Sequence, residues 1–266
     1  MDFSEDQIHR YARHILLPEV GGVGQARLLE SKVLVIGAGG LGSPLIMYLA
    51  AAGVGTIGVI DDDRVDLSNL QRQVVHSTER IGMAKTESAR LAAAAINPDV
   101  RVVAHSERLT ADNALDLIGG YDIVADGSDN FATRFLVNDA CRLAGKTLVS
   151  AAVLRFDGQL ATFKSPGPCY RCLYPSEPPE GEVPSCAQAG VLGAMAGVMG
   201  TLQATEVLKE LLGIGDSLSG SLLIVDALSI SFRKIRLKPD PACALCGPVA
   251  TIHDLSIHRS AVHAGG

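Results

Sequence analysis

The residues of this chain best suited to chemistry fall into a few groups. A glycine run, Gly37-Ala38-Gly39-Gly40-Leu41-Gly42, follows the apolar stretch Val33 to Ile36. Asp61, Asp62 and Asp63 close a second apolar stretch, Thr56 to Ile60; Asn69, Arg72 and Lys85 come after them. Asp126-Gly127-Ser128-Asp129-Asn130 ends a later one. The run has the spacing G-x-G-x-x-G, with Asp61 about twenty residues on. Gly37 and Gly39 let the backbone turn tightly and approach a phosphate, and Gly42 lets a helix pack close to a strand. The helix N-terminus then offers free N–H groups to an anion, and a carboxylate after the second strand can accept from ribose hydroxyls. That implies a nucleotide without saying which, and a nicotinamide or flavin enzyme uses the same turn. Asn69, Arg72 and Lys85 decide between them. Cations past the ribose acid suit a mononucleotide's phosphates, where they disperse the charge of phosphoryl or nucleotidyl transfer.

Cys169-x-x-Cys172 and Cys243-x-x-Cys246 are paired knuckles that read as a structural zinc site clipping two distant segments together. Cys141 and Cys186 are left over. Cys186 ends a proline- and glutamate-rich loop over 173–188, and an exposed cysteine there is a candidate nucleophile if its pKa is lowered. The loop itself contains no basic residue to lower it.

Taken together, Gly37 to Gly42, Asp61 to Gln73, Lys85 and Asp126 to Asn130 resemble the MoeB/ThiF/HesA family, most closely its molybdopterin-synthase adenylyltransferases. The likeness runs from about residue 8 to residue 248. Members adenylate the C-terminal glycine of ubiquitin-like sulfur-carrier proteins that end in Gly-Gly. The resemblance implies ATP held by Gly37, Gly39, Gly40, Gly42, Asp61, Asp63, Asn69, Arg72, Lys85 and Asp129, with Asp129 also binding Mg²⁺. It implies a homodimer, because the segment Arg10-Tyr11-Ala12-Arg13-His14-Ile15 matches one whose second arginine reaches the partner subunit's ATP. Arg13, Arg72, Lys85 and Asp129 are thus the expected catalytic residues. Cys186 joins them only if the thiamine-type sulfur chemistry applies, since the molybdopterin type adenylates without it. The loop over 173–188 crosses the incoming carrier tail in relatives. No rhodanese domain fits in this chain, so a separate sulfur donor is expected, and Gly265-Gly266 is read as chance.

Each assignment has a plainer rival. Asp129 could cap a helix beginning near Asn130. Asp126 is a second carboxylate at the same strand end. Lys85, Arg10 and Arg13 could be solvated surface groups. A nicotinamide oxidoreductase would leave Asn69, Arg72, Lys85 and the cysteine knuckles idle, and a silent carrier-docking relative would have no use for the charged set.

Elements must position these groups. Ser4 and Gln7 have capping-box spacing for a helix over 4–16, and Pro18 to Gly24 breaks the pattern before a short helix, Gln25 to Glu30. Further helices are expected at 42–52, 83–96, 111–118, 131–144 and 189–212, the last with Gly193, Gly197 and Gly200 spaced for close packing. Strands are expected at 33–36, 56–60, 100–104, 121–126 and 147–153. This alternation implies a Rossmann-like, mostly parallel α/β sheet with helices on both faces. Runs at 156–163, 222–226 and 228–237 extend it with antiparallel strands, and the C-terminal part is zinc-stapled. We read residues 1–248 as one adenylation domain, with a nucleotide half at about 31–153 and a carrier and zinc half at about 154–248. The segment 249–266 reads as a loosely held tail.

The chain has 266 residues, 47% of them hydrophobic, and a net charge of −6. That acidity argues against a general nucleic-acid binder. The N-terminus has no basic-then-apolar leader, and the apolar stretches are glycine-rich and interrupted. A cytoplasmic protein without a membrane span is expected.

Overall fold

The computed structural model describes residues 3–179, 182 and 186–259, without the side chains of Cys186 and Ala187. Among them, eight strands form one sheet: β1 (Lys32–Ile36), β2 (Thr56–Ile60), β3 (Arg101–His105), β4 (Ile123–Asp126), β5 (Thr147–Leu154), β6 (Asp157–Phe163), β7 (Ser221–Asp226) and β8 (Ser231–Arg236). Their order is β3-β2-β1-β4-β5-β6-β7-β8. Neighbours from β3 to β5 are parallel, and those from β5 to β8 are antiparallel. The expected Rossmann-like sheet with an antiparallel extension is therefore present.

The alternation of apolar side chains decides which helices cover which face. Val33 and Val35 of β1 join one core with Leu45, Leu49 and Val207. Leu34 and Ile36 join the other with Ile118, Phe135 and Val137. The first core is covered by α3 (Gly42–Ala52), α4 (Lys85–Ile96) and α9 (Gly193–Leu212), and the second by α5 (Ala114–Gly119) and α6 (Phe131–Leu143). Two short helices lie in the connection after β6, α7 (Tyr170–Leu173) and α8 (Cys186–Ala189).

At the N-terminus α1 (Glu5–Ile15) carries the expected capping box from Ser4 and Gln7. Its buried Tyr11 receives a 2.8 Å hydrogen bond from Asn97, which docks the helix. Helix α2 (Gly21–Glu30) starts four residues before the expected Gln25. A side chain at Gly24 would lie 3.1 Å from Leu212, so glycine there permits helix-to-helix approach and does not break the helix.

The expected loose tail does not describe residues 251–259. Ile252 and Leu255 are buried, and Thr251 and Ile252 donate backbone bonds to Ala244. His258 Nε2 lies 2.8 Å from the fully buried Asp139 carboxylate, to which Arg171 also donates from Nε and Nη2. Weak periodicity concealed this segment because it is held by a few specific contacts. Residues 260–266 lie outside the described residues. No helix among those described is long and apolar enough to cross a membrane.

Candidate active site and cysteine cluster

The sheet reverses its winding between β1 and β4, the place where open α/β sheets bind ligands. Gly37 begins the turn after β1 with φ of 87°, a left-handed conformation that favours glycine. A Cβ on Gly42 would stand 1.9 Å from the Gly37 carbonyl oxygen, so α3 can start directly against the turn only with glycine there. Asp61, just past β2, accepts from the Ala38 N–H at 2.7 Å and the Asp63 N–H at 2.9 Å. Burial raises its pKa above the ordinary 3.8, against those two hydrogen bonds and the nearby Lys85. The carboxylate is thus part of the turn's framework and is partly desolvated at the edge of the cavity.

A cavity of about 360 Å³ opens here. It is lined by Gly37, Gly39, Gly40, Asp61, Asp63, Arg72, Lys85 and Asp129, among others. Lys85 opens α4, and its buried ammonium lies 2.7 Å from Asp63. The surface-lysine reading therefore fails. Arg72 is held at 3.3 Å to the Ser68 carbonyl, one helical turn back. Asn130 caps α6 by accepting from the Thr133 N–H, so Asp129 is not the cap. Asp129 is exposed to the cavity and has no hydrogen-bond partner among the described residues. Asp126 is fully buried and accepts from Ser128 and Ser150, so the second carboxylate candidate faces inward.

Two residues expected in the nucleotide site do not line the cavity. Gly42 lies behind the turn, where its part is close packing. The Asn69 side chain donates to the Ser68 hydroxyl, and the Asn69 main-chain carbonyl accepts from the Arg72 and Gln73 N–H groups. It shapes the turn that presents Arg72. Arg13 lies exposed on α1, outside the cavity, while Arg10 donates to the Ile96 carbonyl at the end of α4. The side chain of Cys186, and the rest of its loop at 180–181 and 183–185, lie outside the described residues.

Sequence reasoning gave no role to Arg134, Gln73 or His76. Arg134 lines the cavity and donates to the Ser128 carbonyl at 2.5 Å. Its place four residues after Asn130, on the first turn of α6, was the available signal. Gln73 lines the cavity beside Gly39, and its Oε1 is buried without a hydrogen-bond partner. Buried His76 joins Nε2 to the Ala38 carbonyl and Nδ1 to the Ser88 hydroxyl, both at 2.9 Å. A carbonyl can only accept, so Nε2 carries the proton.

Helix α9 braces the site from behind. A side chain on Gly193 would meet the Gln71 carbonyl at 2.4 Å, and one on Gly200 the Leu41 carbonyl at 2.4 Å. Gly197 has nothing within 4 Å, so it does not share the packing role expected of all three glycines.

Away from the cavity, Cys169, Cys172, Cys243 and Cys246 converge, with all sulfurs within 4.8 Å of one another. Three pairs stand at 3.3, 3.6 and 4.0 Å. A tetrahedral ion with thiolates at ~2.3 Å spaces them about 3.8 Å apart, so the donor set and its spacing fit a metal. Two knuckle N–H groups, from Asp240 and Cys246, point at Cys172 and Cys243. Burial pushes the Cys246 thiol up to about 12, a cost for the thiolate that a bound cation would offset.

A model of the ThiF family matches residues 11–245. The chain belongs to the ThiF family. A sulfur carrier protein adenylyltransferase of Thermus thermophilus is 51% identical over 261 residues, 96% of each chain. The adenylyltransferase and sulfurtransferase MOCS3 of Bos taurus is 53% identical over 259 residues, 97% of this chain but 57% of that protein. The SAMP-activating enzyme E1 of Haloferax volcanii is 49% identical, covering 96% of this chain and 95% of that protein. Among solved structures, Escherichia coli MccB with a MccA derivative has a TM-score of 0.77 at 23% identity, covering 90% of this chain and 75% of that one. That likeness concerns the fold. It places this ThiF-family chain on the same architecture as a much more distant sequence.

Proposed function

We propose that this chain uses ATP to adenylate the C-terminal glycine of a ubiquitin-like sulfur-carrier protein ending in Gly-Gly, in molybdopterin- or thiamine-type sulfur transfer. The observation that carries the reading is the convergence of Arg72, Lys85 and Arg134 on the cavity formed by the glycine turn and Asp61. A carboxylate and a triphosphate repel each other, and these cations let them meet. The carrier carboxylate oxygen attacks the α-phosphorus, the bond to the bridging oxygen breaks, and pyrophosphate leaves with the electron pair. The chain supplies no nucleophile for this. It supplies position and charge dispersal. Asp61 is placed to accept from ribose hydroxyls, and Gly39 and Gly40 to admit the phosphates closely.

Asp129 suits Mg²⁺, which binds through one or two carboxylates plus phosphates and would neutralise phosphate charge. The four cysteines suit a structural zinc. Arg13 completes the cation set only from a second copy of the chain. A nicotinamide enzyme explains Asp61 and the glycine turn but gives no role to cations past the ribose acid or to the four cysteines. Intact-mass analysis tests the reading: with MgATP, a Gly-Gly carrier should gain one AMP, while a carrier trimmed of its glycines gains none. Equal mass gain on both, or tight NAD binding in place of ATP binding, contradicts it.

A further inference from the structure

We propose that Gln203 is a positioning residue for the metal-binding turn, acting from α9 through Asp126. The inference rests on the reading of Asp129 as the Mg²⁺ carboxylate. Gln203 is completely buried and does not line the cavity. Its Nε2 donates to the Asp126 carbonyl at 2.8 Å and to the Val149 carbonyl at 2.9 Å. Asp126 ends β4, and the register stops at Asp126 opposite Ser150. The next N–H, that of Gly127, lies on the opposite side of the strand and donates to Ile36 in register with β1. Gln203 therefore takes over where the ladder ends, and it fixes the point at which β4 turns away.

Asp126 passes that constraint on. One carboxylate oxygen accepts from the Ser128 N–H at 3.0 Å, and the other from the Ser150 hydroxyl at 3.1 Å. Arg134 holds the Ser128 carbonyl from the cavity side. The turn is thus pinned from both sides, and Asp129 projects from it into the cavity. The same helix that braces the glycine turn and the Arg72 loop also sets the height of the metal carboxylate.

The test uses the full chain and compares ATP affinity by calorimetry in Mg²⁺ and in EDTA. Gln203→Met keeps the shape but loses both donated bonds, and Ser150→Ala loses one bond without touching α9. Asp129→Asn is the reference. The expected result is that Asp129→Asn abolishes the Mg²⁺-dependent gain in affinity. Gln203→Met and Ser150→Ala should lower that gain about tenfold, the scale seen for outer partners of metal ligands, and leave the EDTA affinity near wild type. Should Gln203→Met fail to fold, Ser150→Ala carries the test. If Asp129→Asn abolishes the gain while the other variants keep it and lose only thermal stability, the positioning role is overturned and the metal reading stands. If Asp129→Asn keeps the gain, the metal reading fails and the positioning role with it.

Discussion

Arg72 and Lys85 share the cavity with the glycine turn, although they come from different segments. Removing one preorganised charge donor at such a site costs about 10²–10³ in rate. Arg72→Ala and Lys85→Ala should each lower adenylate formation by that order, measured by single-turnover quench, with a smaller loss in ATP affinity. His76 carries a pH dependence. Burial, the largest effect on it, holds its imidazole below the ordinary 6.5, so the folded chain keeps it neutral. Between the lowered folded value and 6.5 the unfolded chain binds the extra proton. The stability from neutral His76 is thus complete above 6.5 and drains away as pH falls through the folded value. Thermal midpoints from about pH 8 to about pH 5 should decline less steeply for His76→Gln than for wild type. The glycines and charged residues that line the cavity were legible at this scale because glycine spacing and clustered charge are local signals. The roles of Asn69 and Asn130 were not, since a residue that shapes a turn through its main chain or its cap looks the same in sequence as one that meets a ligand.

Helix α9 shows what periodicity can and cannot reveal. Its glycines announced close packing, but only the fold separates Gly193 and Gly200, which meet backbone oxygens, from Gly197, which meets nothing. Gly200→Ala should destabilise the chain by about 1–3 kcal/mol through overpacking and weaken ATP binding, because the displaced backbone belongs to the start of α3. Gly197→Ala should be neutral or stabilise by up to about 1 kcal/mol, as alanine replaces glycine within a helix. Denaturant midpoints compare the two directly. The parallel strands were legible as apolar runs bounded by turns. The early start of α2 was missed because glycine serves equally to break a helix and to let two helices approach.

At the scale of the whole molecule, the cysteine cluster joins segments some seventy residues apart, and Arg171 lies between its first two cysteines. Burial alone would raise the Asp139 pKa, but hydrogen bonds from His258 and Arg171 bring it below the ordinary carboxylate value. The C-terminal segment, α6 and the cysteine knuckle are thus one assembly. His258→Ala should cost about 1–3 kcal/mol by removing a partner from a buried carboxylate, read from the denaturant midpoint. Elemental analysis should find one zinc per chain, and chelation should lower the thermal midpoint more than His258→Ala does. None of this assembly beyond the cysteine spacing was legible, because the contacts link residues far apart in sequence. The proposed activity requires two anions to meet in one cavity. Pyrophosphate–ATP exchange with a Gly-Gly carrier measures that meeting most directly. Exchange that requires the carrier and collapses in Lys85→Ala is the predicted result. Exchange that ignores the carrier, or that survives unchanged in Arg72→Ala and Lys85→Ala, would contradict the account.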